Sequence, residues 1–107
     1  MANVFTNALI KDIGTSASAV YTPPSTKKSI VIELDVANTT NTGVTVSAYI
    51  TRSGVNTYIG KNLPVPVGGT LQIISGQKIV LLATDTLNIV SSVAASIDAV
   101  ASILEDI

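Results

Sequence analysis

The fold is decided by residues 29–51, SIVIELDVANTTNTGVTVSAYIT, in which two alternating segments flank a loop. Strict alternation is typical of β-strands with one buried face. The first segment places Ile30, Ile32, Leu34 and Val36 on one side, against Val31, Glu33, Asp35 and Ala37. The second places Val44, Val46, Ala48 and Ile50 against Thr45, Ser47, Tyr49 and Thr51. The loop at 38–43 is rich in Asn, Thr and Gly, which accept turn conformations.

Short apolar segments separated by turn residues continue after these two predicted strands. Residues 63–92, LPVPVGGTLQIISGQKIVLLATDTLNIVSS, consist of short apolar runs separated by turn residues every 8 to 12 positions. We expect a turn at Ser53-Gly54, a short strand in TYIGKNL, strands TLQIIS and KIVLL on either side of Gly76, and a strand TLNIV. Pro64 and Pro66 cannot donate ladder hydrogen bonds, so they belong to a sheet edge or an extended connection. The pattern predicts an all-β fold with about 7 to 9 short strands, arranged as a sandwich or a barrel.

The two ends of the chain are less regular. Residues 1–16 are predicted as an N-terminal extended arm or edge strand, and residues 17–107 as a single β-sandwich domain that begins with a strand at 17–22. Residues 96–106 fit either a helix or a strand, and a strand is favoured. Either the arm folds back on its own sandwich, or it reaches a neighbour, with Phe5 as the main anchor. Its apolar residues are the candidate interaction residues Val4, Phe5, Leu9 and Ile10.

Composition indicates a protein that associates with other subunits. Hydrophobic residues make up 47% of the 107 residues and charged residues 12%, about half of the usual share of roughly 25%. Part of such a surface is expected to be covered, most simply by other copies of the chain, so a homo-oligomer is predicted. A net charge of −1 with scattered lysines predicts no nucleic-acid partner. The longest apolar run, residues 79–83, is too short for a membrane span, and no secretory signal is predicted.

Few side chains could perform chemistry. The chain has no His and no Cys, which excludes disulfides, Ser-His-Asp and Cys-His arrangements and the usual zinc sites. We therefore expect no enzyme, no cofactor and no metal. Glu33 and Asp35 could approach each other or a cation, but a solvated strand face is the simpler interpretation. Asp85 is expected to accept backbone N–H bonds at a corner between strands.

The aromatic residues are few. Tyr49 and Tyr58 are predicted on neighbouring strands, where they could form a stacking platform for a sugar or, more simply, a cross-strand pair or a subunit contact. They complete the set of candidate interaction residues.

The order of phrases from Ser29 to Ser92 resembles a family of small all-β virion proteins of tailed bacteriophages. The phrases are a strand ending in ANTT, then GVTVSAYI, then YIGKNLPVPVGGTLQI, then GQKIVLLATDTLNIVSS. The resemblance implies an antiparallel β-sandwich, jelly-roll-like, that serves as a structural protein of the virion. The expected role is a capsid decoration (cement) protein, and the alternatives are a neck, collar or tail component or a carbohydrate- or host-surface-binding module. It also implies partners such as the major capsid protein or neck and tail proteins, assembly in the bacterial host cytoplasm, and a homo-oligomer of three copies.

Overall fold

A computed structural model describes residues 3–106 of the chain, which form two antiparallel four-stranded sheets packed face to face. Within this range eight strands occur, and none of the residues is helical. Their bounds are β1 Asn3–Ile13, β2 Ser18–Tyr21, β3 Ser29–Asn38, β4 Val44–Arg52, β5 Val55–Val65, β6 Thr70–Leu81, β7 Thr86–Ser91 and β8 Ile97–Asp106.

Strand order identifies the architecture. Sheet A has the order β1-β8-β3-β6 and sheet B has the order β2-β7-β4-β5. Only the β4–β5 hairpin stays within one sheet, because every other connection crosses from one sheet to the other. This is the eight-stranded double-sheet arrangement of a jelly roll, so the predicted fold class is confirmed. The expected turn at Ser53-Gly54 forms that hairpin, and both residues have the positive φ that a two-residue turn requires.

The core lies between the sheets and is built from β-branched and leucine side chains. Its largest fully buried members come from seven of the eight strands and are Ile13, Leu34, Ile74, Leu81, Leu87, Ile89, Ile97, Ile103, Val31, Val36, Val46 and Val65. In β4 the face predicted to be inward is confirmed, since Val44, Val46 and Ala48 are buried. The C-terminal segment is the strand β8, as favoured, and its buried face carries Ile97, Ala99, Ala101 and Ile103.

The predicted faces of β3 are wrong in its first half. Between Val31 and Glu33 the register with β8 advances by one residue while β3 advances by two, so Ile32 is an extra, bulged residue. Because of the extra residue, the inward and outward positions before the bulge are exchanged relative to those after it. Val31 is therefore fully buried together with Leu34, whereas Ile30 and Ile32 are only partly buried and belong to the outer face.

Two other strands are longer than predicted. The runs on either side of Gly76 form the single strand β6, because Gly76 (φ 92°) and Lys78 (φ 61°) absorb an irregularity without ending it. Strand β5 extends through Pro64 to Val65, which is possible because β5 is an edge of sheet B.

Candidate functional site

Strand β1, which contains four of the predicted interaction residues, is the edge strand of sheet A next to β8. Phe5 and Leu9 point to the outer face and are 77% and 68% exposed. Ile10 faces the sandwich and packs against the core, and Val4, on the same side, is 39% exposed. The structure thus divides the predicted group between two faces. Ile13, at the end of β1, is fully buried, and its carbonyl accepts a hydrogen bond from the amide of Ser96 at 3.0 Å.

Phe5 begins an apolar row that crosses all four strands of sheet A. Leu104 lies opposite Phe5, Ile30 lies opposite Leu104, and Val80 lies opposite Ile30. Val80 is 52% exposed, and Ile30 and Leu104 are half-buried by their neighbours. Laterally adjacent residues on one face of a sheet have Cβ atoms about 5 Å apart, so the four side chains form a continuous strip, which we call the apolar row. The bulge at Ile32 is what turns Ile30 outward, so the alternation in the sequence concealed this member.

A polar strip and a shorter apolar pair lie beside the apolar row. Asn7, Ser102 and Glu33 are aligned across β1, β8 and β3, and Leu9 and Val100 are aligned two residues further along. Asn7 and Ser102 help to line an open, shallow depression next to Phe5. The outer face of sheet A therefore carries apolar surface at two levels with polar groups between them.

Glu33 and Asp35 both project from β3 onto this outer face. A hydrogen bond to Asp35, assisted by its negative charge, raises the pKa of the Glu33 carboxyl above its ordinary value. Oδ1 of Asp35 is buried and has no hydrogen-bond partner among the described residues. Residues 3–106 contain no cluster of three or more carboxylate, histidine or cysteine side chains. The two groups form a like-charge pair and supply too few ligands for a cation site.

Tyr49 and Tyr58 face each other across β4 and β5 on the outer face of sheet B. Their ring centroids are 5.0 Å apart and the ring planes are inclined by 44°. The Lys61 ammonium lies 5.1 Å from the centroid of the Tyr58 ring. Tyr49 is only 9% exposed and Tyr58 is 44% exposed. The rings pack on each other as a cross-strand pair, in which Tyr49 is covered and Tyr58 is partly exposed.

An ion pair that the sequence did not reveal fixes the corner before β7. The fully buried Asp85 carboxylate accepts hydrogen bonds from Nε of Arg52 at 2.6 Å and from Nη2 at 2.7 Å. It also accepts the amide of Leu82 at 2.9 Å, which is the backbone bond expected of a corner aspartate. The hydrogen bonds from the guanidinium lower the pKa of the Asp85 carboxyl. This arrangement ties the β4–β5 hairpin to the β6–β7 corner and has a structural role.

A second polar contact joins the two sheets. The Tyr21 hydroxyl, on β2, donates to the carboxylate of Glu105 on β8 and lies 2.8 Å from Oγ of Ser29 on β3. Burial and the hydrogen bond to Glu105 raise the pKa of Tyr21 to about 12, so this phenol stays protonated at neutral pH.

Comparisons with known proteins identify a similar fold but do not identify a family. No family model matches the chain, and no curated protein matches it. Among solved structures, the chain is similar to one described with the words "Bacillus endospore appendages form a novel family of disulfide-linked pili". The TM-score is 0.54 with 18% identical residues, over 96% of this chain and 86% of the other. A likeness at this identity shows a shared fold.

This likeness corrects the functional prediction. The expected role as a bacteriophage virion protein, whether decoration protein, neck or tail component or host-surface module, is wrong, because the matching structure is that of a bacterial endospore pilus. Disulfide links such as those in that pilus family cannot form here, since the chain has no cysteine. The predicted location in a virion and the predicted assembly of three copies are not tested by these findings and stay predictions. Among residues 3–106 the structure has no helix that could cross a membrane.

Proposed function

We propose that this chain is a structural protein whose copies associate with one another through the outer face of sheet A. The observation that carries the proposal is the apolar row, in which Phe5 is 77% exposed at the sheet edge and Val80 is 52% exposed on the far side. Contiguous exposed apolar surface on a small protein marks an interaction site. The row is continuous across all four strands, so it offers a surface and not a single side chain.

Two further observations support self-association. Only 12% of the residues are charged, which leaves little charge to keep copies apart. The Bacillus endospore protein with the same fold belongs to a family that forms pili, so the fold suits a subunit of an extended assembly. We extend the role of appendage subunit to this chain on that basis. The missing histidine and cysteine and the structural roles of Asp85 and Tyr21 fit a protein without enzymatic activity.

Sedimentation of the full chain between low micromolar and millimolar concentrations tests the proposal. We expect reversible association that the exchange Phe5→Ser weakens at least tenfold, because each large apolar side chain buried in an interface contributes about 1.5–3 kcal/mol. The matched control is Val55→Ser, which removes a side chain of 65% exposure at the β4–β5 hairpin, away from sheet A, and should leave association unchanged. A chain that stays monomeric up to millimolar concentration would overturn the proposal.

A further inference from the structure

The four sheet edges of the sandwich are protected very unevenly. Strand β2 has four residues and a shifted register, and β5 contains Pro64 and two register shifts. Strand β6 is distorted at Gly76 and Lys78, whose φ angles are positive. Short strands, prolines and bulges are the usual devices that prevent an edge from pairing with another chain. Three of the four edges carry them.

Strand β1 lacks these devices over most of its length. Its register with β8 is unbroken from Asn3 to Ile10, and the first irregularity follows at Asp12, where φ is 58°. Residues 4–10 contain no proline, no glycine and no charged side chain. The side of β1 away from β8 pairs with no other strand among residues 3–106. This edge can therefore accept a further strand.

The sequence of β1 is also complementary to itself when it is read in the opposite direction. Residues 4–10 are VFTNALI, with two large apolar residues at each end, Thr6 and Ala8 inside them and Asn7 at the centre. In an antiparallel pair of two such strands centred on Asn7, Phe5 faces Leu9 of the other copy. Val4 then faces Ile10. Each outer-face residue meets an outer-face residue, because the positions in each pair differ by an even number.

We propose that β1 pairs antiparallel with β1 of a second copy, in the register that places Asn7 opposite Asn7, and so joins two A sheets into one eight-stranded sheet. This inference rests on the proposed function, since it adds an edge-to-edge contact through β1 to the association of copies proposed above. The interface is isologous, as expected of a two-fold symmetric pair. Seven residue pairs in an antiparallel ladder form roughly six to eight backbone hydrogen bonds.

In this arrangement the apolar surface of one copy becomes continuous with the apolar surface of the other. The apolar row of one copy ends at Phe5, which contacts Leu9 of the second copy, and Leu9 is followed there by Val100. The two Lys11 side chains lie opposite Asn3 of the other copy, at the two ends of the ladder, so no like charges face each other. Phe5 and Leu9, the two most exposed large apolar side chains described, are thereby covered by each other.

Disulfide trapping tests the register, because the chain contains no cysteine of its own. In Asn7→Cys the two introduced thiols lie on directly opposite residues, whose Cα atoms are about 4.5–5.5 Å apart, within the range of a disulfide. In the control Val4→Cys the two thiols are six residues apart along the ladder, roughly 20 Å. Both positions are exposed, and both variants should melt as the unmodified chain does. Under mild oxidation we expect at least tenfold more covalent dimer from Asn7→Cys than from Val4→Cys.

The same samples, sedimented alongside the unmodified chain, separate the two proposals. Comparable dimer from both variants, or more from Val4→Cys, would overturn the register. No covalent dimer from either variant while the unmodified chain associates would overturn the role of β1 and leave self-association standing. A monomeric unmodified chain would overturn both.

Discussion

Replacing Asp85 by alanine should destabilise the fold, because its buried carboxylate holds the corner before β7. The carboxylate is fully buried and holds three hydrogen bonds, two from the Arg52 guanidinium at 2.6 and 2.7 Å and one from the Leu82 amide at 2.9 Å. In the alanine variant, the Arg52 side chain, which is 53% exposed, returns to water, so its share is small. The Leu82 amide loses its acceptor, and this loss dominates. We expect a loss of about 1–3 kcal/mol in the free energy of unfolding.

Urea denaturation at pH 7 measures this loss, with Lys11→Ala as the matched control. Lys11 belongs to the other ion pair described, in which Nζ lies 3.7 Å from the Asp98 carboxylate and the lysine side chain is 78% exposed. Removing it should change the free energy of unfolding by less than about 0.5 kcal/mol. An Asp85→Ala variant as stable as this control would refute the reasoning, because it would mean that the buried pair contributes nothing beyond an exposed one.

The pH dependence gives a second check on the same residue. The pKa of Asp85 is lower in the folded protein than its ordinary value of 3.8. A carboxyl whose pKa is depressed by folding stabilises the fold above its ordinary pKa and loses that contribution as the pH falls through the lowered value. The difference between the unmodified chain and Asp85→Ala should therefore be complete at pH 7 and shrink below pH 4.

Two more substitutions test the polar contacts of sheet A. Because Asp35 raises the pKa of Glu33, the ionised Glu33 carboxylate destabilises the fold above its ordinary pKa of 4.5. Glu33→Gln should therefore unfold at a higher urea concentration than the unmodified chain at pH 7. This difference should vanish as the pH falls below 4.5. A less stable variant at pH 7 would contradict the like-charge interpretation. Tyr21→Phe removes the hydroxyl that joins β2 to Glu105 and Ser29, and should cost about 1–2 kcal/mol in urea denaturation. Equal losses in Tyr21→Phe and the half-exposed control Tyr58→Phe would argue against that contact.

Local pattern was sufficient to predict the fold where strands are regular. Strand β4 alternates without interruption on its core-facing side, and β8 has the buried set Ile97, Ala99, Ala101 and Ile103 that the strand interpretation required. Turn residues placed the β4–β5 hairpin at Ser53-Gly54 because a two-residue turn with positive φ strongly favours glycine.

The features that the sequence concealed depend on register or on distant partners. The bulge at Ile32 leaves no mark in an apolar run that fits either face, so Ile30 was assigned to the core and the apolar row was missed. Arg52 and Asp85 are 33 residues apart, and only the pairing of β4 with β7 brings them together. Phe5 and Leu9 were predicted only as members of a group of candidate interaction residues, and their separation from Val4 and Ile10 required the orientation of β1.

The pairing of β1 with β8 determines when sheet A can be completed during synthesis. Strand β1 has no partner within its own chain until β8 is made, because β8 is its neighbour in sheet A. At about 5–20 residues per second, a ribosome needs roughly 5–20 s to make the 107 residues. Throughout that interval both sides of β1 are available, including VFTNALI. Neighbouring nascent chains on one messenger RNA would therefore compete with β8 for this strand, and rapid release of finished chains favours the folded subunit over premature pairing.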